Sequence, residues 1–381
     1  MRILFLCNSG YWGGAERYVH AVANALGGRG HVVFAAVPPN SPLYTALAAG
    51  PTVTPLPLDL GPKLAIRSAI DFTWRWPVYA RTLRRALGEW QRQVGFDLLH
   101  VQFKKEQLLA TRTARRLGMR VVWTEHGPLP PPLVRFWPAL RLYRRSAGDA
   151  SAIVCISTAV ERDLARHGLA RSTLHVCRNG ISLPETPSPD TRDAVRASLG
   201  LAGDALVVAA VGRLSWVKGL RHLIDAVPLV LRCQPTAQFL IIGDGPDRPE
   251  LEALATARGV TNHVRFTGHR DDVTRILAAV DILALPSLSE GLPFAAMEAM
   301  AAGVPVVASR VGALAELLDE GRAGVLVRPA SAEALASTLV DLMTDSQARA
   351  RLAIQGRRRI VDAYSFEAMI DCTEAILSKH S

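Results

Sequence analysis

PSLSEGLPFAAMEAMAAGVPVVAS spans Pro286–Ser309. An apolar run ending at Leu285 precedes it and reads as a strand. The loop that follows carries Glu290, and Pro293 suits a first helical turn, where the missing N–H costs nothing. That helix is apolar throughout except for Glu298, and the chain returns as a strand at Pro305–Ala308. Strand, helix and strand in this order make a βαβ unit, whose strands run parallel.

The same alternation runs outward in both directions. Strands are expected at Arg2–Cys7, His31–Val37, Asp97–Val101, Arg120–Thr124, Ala152–Ile156 and Leu174–Arg178, then at Leu206–Val211, Gln238–Ile242, Val264–Thr267, Asp281–Leu285 and Gly324–Val327. Helices are expected near Ala15–Leu26, Leu64–Gln93, Lys105–Leu117 and Thr158–His167, with others between the later strands. The chain has 381 residues, enough for two domains. The segment PETPSP, Pro184–Pro189, has the composition of a linker. The expectation is α/β, with two Rossmann-like, doubly wound parallel sheets facing across a cleft. Ligands of such sheets sit at the carboxyl ends of the strands.

Composition narrows the function. Hydrophobic residues make up 49% and charged residues 20%, so disorder is excluded. The five cysteines, 7, 155, 177, 233 and 372, form no C-x-x-C pair, which argues against a disulfide framework or structural zinc and for a reducing compartment. The longest uncharged stretch, Val32–Leu58, holds six prolines and does not read as a membrane span. A cytoplasmic location is expected, with peripheral attachment to the cytoplasmic membrane face suggested by charge. The net charge of +10 divides into +13 for residues 1–185 and −3 for residues 186–381. Basic clusters stand at Arg81/Arg84/Arg85, Lys104/Lys105, Arg112/Arg115/Arg116 and Arg141/Arg144/Arg145. They point to an anionic partner such as a membrane surface, or to a plain solvated face. Nucleic acid is not expected, since no basic tract is laced with aromatics.

Three segments carry candidate chemistry. Cys7–Glu16, CNSGYWGGAE, follows the first strand, and Gly13 and Gly14 open a helix whose N–H groups face an anion. It lacks the dinucleotide pattern G-x-G-x-x-G. Val211–Gly219 holds Arg213 and Lys218, two cations able to clamp a diphosphate. In the third segment Glu298 needs a partner on its apolar helix, and ribose hydroxyls or a nearby Arg would serve. Each of the first two segments alone also fits a bland turn or a pair of surface charges.

Together these segments resemble glycosyltransferase family 4, the glycosyl transferases group 1, which are retaining enzymes of GT-B fold. The similarity rests on E-G-x-P followed by EAMAxGxPVVAS, on GGAERYV, on TEHG at Thr124–Gly127, and on RNGI at Arg178–Ile181. It rests also on VGRL with Lys218-Gly219, IIGDGP at Ile241–Pro246 and FTG at Phe266–Gly268. The resemblance implies residue roles. Arg213 and Lys218 would hold the donor pyrophosphate and Glu298 the ribose. Glu290 would meet the donor sugar, and backbone N–H groups over Gly291, Leu292, Pro293 and Phe294 the sugar or phosphate. His126 would reach the transferred sugar, Gly13 and Gly14 would lie near the diphosphate and acceptor, and Gly268 with His269 would flank the base. Trp216 stands where the family is usually polar.

The implied activity is retaining transfer of a sugar from a nucleotide-diphosphate sugar, UDP favoured and GDP the alternative. The acceptor would be a saccharide or lipid-linked, as in cell-surface polysaccharide or glycolipid synthesis. No Asp-x-Asp motif occurs, so no metal is expected, and no cofactor either. The rivals are a nucleotide-sugar epimerase or phosphorylase on the same fold, and a non-catalytic sugar-nucleotide-binding module. The domains are expected at 1–185 on the acceptor side and 186–362 for the nucleotide sugar, with 363–381 a helix packing back on the first. Phe136–Tyr143 and Phe72–Tyr79 read as core packing or an acceptor groove. Glu16 reads as a capping or solvated helix residue.

Overall fold

A computed structural model describes residues 1–61, 69–183 and 189–379. Two compact units emerge, residues 1–179 with the chain from Glu367 onward, and residues 180–366. Each is built on one parallel sheet.

In the first unit the strands are β1 (Arg2–Leu6), β2 (Val32–Val37), β3 (Val53–Pro57), β4 (Leu98–Val101), β5 (Arg120–Glu125), β6 (Ala152–Cys155) and β7 (Leu174–Val176). They are ordered β3-β2-β1-β4-β5-β6-β7, all parallel. In the second they are β8 (Val207–Val211), β9 (Gln238–Ile242), β10 (Val264–Gly268), β11 (Ile282–Leu285), β12 (Val306–Ser309) and β13 (Val325–Val327). Their order is β10-β9-β8-β11-β12-β13. The middle strands read as unbroken apolar runs because helices cover both faces of the sheet. Ile3–Leu6 and Val207–Ala209 are fully buried or nearly so.

The helices of the first unit are α1 (Gly14–Gly28), α2 (Pro42–Ala48), α3 (Ala69–Val94), α4 (Lys104–Arg116), α5 (Pro131–Arg135), α6 (Trp137–Gly148) and α7 (Thr158–Arg166). Those of the second are α8 (Pro189–Ser198), α9 (Leu220–Leu231), α10 (Arg248–Ala257), α11 (Val273–Leu277), α12 (Phe294–Ala301), α13 (Leu314–Leu317), α14 (Ala332–Thr344) and α15 (Ser346–Ala363). The last helix, α16 (Phe366–Ser378), packs in the first unit. There Arg29 pairs with Glu367, Asp371 and Glu374, Arg120 donates to the Leu377 carbonyl at 2.9 Å, and the Cys177 thiol meets Met369 and Thr373. Among the described residues no helix is long and apolar enough to cross a membrane.

The structure adds elements that the sequence pattern hides. β3 contains Pro55 and Pro57, and a proline cannot donate to a ladder. It forms because it is the sheet edge and pairs with β2 alone. α2 starts where the Ser41 hydroxyl accepts from the Tyr44 N–H at 3.2 Å, with Pro42 in the first turn. The expected helix from Leu64 is described from Ala69, and most of the expected linker lies outside the described residues.

One basic cluster is not a surface feature. Lys105 is buried and donates to the carbonyls of Leu60 at 3.0 Å and Gly61 at 2.9 Å. Lys104 pairs with the buried Glu125, which also accepts from the Tyr143 hydroxyl at 2.6 Å. Both lysines serve the interior, because the chain at Leu60–Gly61 presents carbonyl oxygens and the end of β5 a carboxylate.

Candidate functional site

In a doubly wound sheet the chain reverses its winding direction between two neighbouring strands, and a crevice opens there at the carboxyl ends. In the second unit that point lies between β8 and β11, which pair directly. The loops leaving these strands hold Arg213, Lys218 and Glu290.

Backbone contacts knit the loops together. After β8 the chain makes a 3-10 turn over Trp216–Lys218, and Gly219 takes a left-handed φ of 60° before α9. A Cβ on Gly219 would stand 2.1 Å from the Pro286 carbonyl oxygen, so the β8 and β11 loops touch through bare backbone. The Leu288 N–H donates to the Val217 carbonyl at 2.7 Å. Gly312, after β12 and with φ 54°, approaches the other side of the β11 loop, where a Cβ would lie 1.8 Å from the Glu290 carbonyl oxygen.

This frame sets the side chains. The Lys218 ammonium donates to Glu290 Oε1 at 2.7 Å, and the Ser287 hydroxyl donates to the same oxygen at 2.7 Å. Glu290 is 8% exposed, so its charge sits in a poorly solvated place and is held by two donors. A cavity is lined by Gly212, Arg213, Lys218, Leu285, Pro286 and Ser287. Arg213 stands exposed at its lip. Pro293 precedes α12, so Gly291–Phe294 runs from the Glu290 loop into a helix N-terminus. Glu298 is half-buried on α12, between the buried Met297 and Ala299.

The expected base-flanking pair is split in character. The Gly268 carbonyl accepts from Gly243 N–H at 2.8 Å, which ties the end of β10 to the loop after β9. His269 points outward, facing Asp271 at 3.2 Å, and β10 is the edge strand.

In the first unit Gly13 caps α1 and Gly14 is its first residue. A Cβ on Gly13 would lie 3.1 Å from Glu16 Oε2, and Glu16 is buried in the first turn of α1, so of the two expected roles, capping or solvated, the solvated one does not hold. His126 follows β5. Its Nε2 faces Gln102 Oε1 at 2.9 Å, and an amide oxygen only accepts, so the ring donates there. The rings of Tyr18 and Phe103 stand 5.2 Å and 6.3 Å from the imidazole. His100, which also faces the Tyr18 ring, is fully buried, bonded to Thr124 Oγ1 at 2.7 Å, and burial pushes its pKa down to about 3.

Ser287 and Gln102 went unnoticed in the sequence. A serine two residues after a strand carries no pattern, and only the fold brings it to Glu290. Among the described residues no group of three or more His, Cys, Asp or Glu is placed to hold a metal ion.

Two Rossmann-like units, with cations and a carboxylate gathered at the switch point of the second, define a protein of the GT-B class. Residues 12–184 match the family described as Glycosyltransferase Family 4, and residues 205–345 that described as Glycosyl transferases group 1. The chain belongs to this family of glycosyltransferases. It is 30% identical over 307 residues to a GDP-mannose-dependent alpha-(1-6)-phosphatidylinositol monomannoside mannosyltransferase of Mycolicibacterium smegmatis, covering 76% of this chain and 77% of that protein. It is 36% identical over 183 residues to the lipopolysaccharide core biosynthesis glycosyltransferase LpsE of Rhizobium meliloti, and there it spans 48% of this chain and about half (53%) of the relative. The crystal structure of Anabaena HepE with UDP and glucose superposes with a TM-score of 0.86 at 25% identity, covering 99% of each chain.

Proposed function

We propose that this protein is a retaining, metal-independent glycosyltransferase that moves a sugar from a nucleotide-diphosphate sugar to a saccharide or lipid-linked acceptor. Cell-surface polysaccharide or glycolipid synthesis is its setting. The observation that carries this reading is the Arg213–Lys218–Glu290–Ser287 group at the β8/β11 switch point. UDP is the favoured base, since HepE was crystallised with UDP and glucose. GDP is the alternative, since the mycobacterial relative is GDP-mannose-dependent. The second unit, residues 180–366, is the donor domain, the first unit is the acceptor side, and α16 is the returning helix.

The chemistry follows from charge. As the glycosidic bond breaks, negative charge grows on the departing diphosphate. Arg213 and Lys218, with the N–H groups opening α12, stabilise that charge more than the ground state. Lys218 exchanges Glu290 for phosphate when the donor arrives. Glu290 then accepts hydroxyls of the donor sugar, with Ser287 still orienting it. Glu298 accepts the ribose hydroxyls, and Gly268 with His269 flanks the base. His126 contacts the transferred sugar, and Gly13 and Gly14 lie near the diphosphate and acceptor. The departing diphosphate takes the acceptor proton on the face it leaves, so no protein nucleophile is used. Protein cations fill the place a divalent metal would take, and no Asp-x-Asp pair stands in the chain. The basic first half supports peripheral contact with an anionic cytoplasmic membrane face.

The test is a thermal-shift panel of nucleoside diphosphates, followed by transfer assays with and without EDTA. A rise in Tm with UDP or GDP, and transfer that survives EDTA with the anomeric configuration kept, are expected. No shift with any nucleotide overturns the donor assignment, and activity restored only by manganese overturns metal independence.

A further inference from the structure

We propose that the helix layer α3, α4 and α6 docks on an anionic lipid bilayer, with Phe136 and Trp137 entering the headgroup zone as its anchor. The proposal rests on the reading of peripheral membrane contact and names the face that makes it.

α6 is sharply two-sided. Leu140, Tyr143 and Ala147 face the core. The opposite side carries Trp137, Arg141 and Arg145 at four-residue spacing, with Leu142 and Arg144 beside them. Phe136 and Trp137 are each 62% exposed, and Leu142 and Val78 are exposed as well. The sequence pattern allows the Phe136–Tyr143 aromatics either core packing or an acceptor groove. Only Tyr143 is in the core, its ring tilted against Trp123 at 5.5 Å, while Phe136 and Trp137, just after the end of α5 at Arg135, face outward. Two adjacent large aromatics in water call for a partner.

The charge around them says which. α4 packs against α3 on one side and α6 on the other. The clusters Arg81/Arg84/Arg85, Arg112/Arg115/Arg116 and Arg141/Arg144/Arg145 therefore share one layer, and all nine guanidinium-bearing residues are exposed. Neutralisation is slight. Glu89 meets Arg85 at 2.8 Å and Asp149 meets Arg115 at 3.3 Å, and Glu106 of α4 is buried. Arg144 spends its Nε on the His167 carbonyl at 2.6 Å. The Arg141 guanidinium lies 5.4 Å from the Trp137 ring centroid, so cation and indole present together. An aromatic pair flanked by arginines matches the headgroup zone of an anionic bilayer, where indole rings settle and basic side chains meet phosphate.

The experiment is co-sedimentation of the full chain with phosphatidylglycerol–phosphatidylcholine vesicles and with pure phosphatidylcholine. The wild type should bind the anionic vesicles and release in high salt. The double variant Phe136→Ser/Trp137→Ser should lose binding roughly tenfold while its melting temperature holds, since both side chains are exposed. Trp137→Phe should bind but lose the part of tryptophan quenching that brominated lipid causes in the wild type. If the wild type binds and the double variant binds equally, this face is not the docking site, although membrane contact stands. If the wild type binds neither vesicle, membrane contact fails too. If the double variant instead dissolves a dimer seen by sedimentation, the face joins two copies and the proposal is overturned.

Discussion

Lys218 and Glu290 meet at 2.7 Å across 72 residues of chain, and Ser287 donates to the same carboxylate oxygen. The ammonium of one loop is thus paired with the carboxylate of the other. In the proposed mechanism a donor diphosphate would displace Glu290 from Lys218, and the freed carboxylate would meet the donor sugar's hydroxyls.

Arg213→Ala and Lys218→Ala should each lower kcat by about two orders of magnitude or more, as the loss of a transition-state donor does. Lys218→Ala should also lower Tm, because it leaves the 8%-exposed Glu290 short of its cation. Steady-state kinetics and melting curves decide the matter. Unchanged kcat in both variants removes these residues from the mechanism.

Ser287→Ala should act through Glu290. Losing one buried hydrogen bond of about 1 kcal/mol should raise the donor KM about fivefold and leave free UDP binding untouched. Ser287→Thr, which restores the hydroxyl, should recover most of the loss. A fall in affinity for free UDP equal to that for the sugar nucleotide would assign Ser287 to the nucleotide.

Glu298→Gln should weaken binding of the free nucleoside diphosphate, whereas Glu290→Gln should spare it and slow transfer. Titration calorimetry beside turnover measurements separates the two. The reverse order exchanges the roles of the two carboxylates.

His100 makes stability pH-dependent. Its pKa is near 3 when folded and 6.5 when free, so below pH 6.5 the unfolded chain binds a proton that the folded chain refuses. Stability is intact above pH 6.5 and falls as the pH drops toward 3. At pH 5 the loss is about 2 kcal/mol. Denaturant titrations of the wild type and of His100→Gln should show the wild type losing that much more between pH 7 and pH 5. Parallel pH profiles would contradict it.

The sequence alone determined the secondary alternation and the places where chemistry gathers. Runs such as Ile3–Leu6 and Val207–Ala210 are apolar on both faces, and only a strand inside a covered parallel sheet needs that. Arg213, Lys218, Glu290 and Gly13 all follow such runs, so local order was enough to put them at the carboxyl ends of strands. Tertiary structure alone decided who meets whom. Lys218 pairs with Glu290 because β8 lies beside β11, and strand order is not written in any periodicity. β3 exists because an edge tolerates Pro55 and Pro57. Lys104 and Lys105 face inward while Phe136 and Trp137 face water, against the usual sense of those residue types. The reason is common to all of these. A residue's type sets what its burial would cost, but only neighbours distant in sequence supply the oxygens, cations or rings that decide whether it is met.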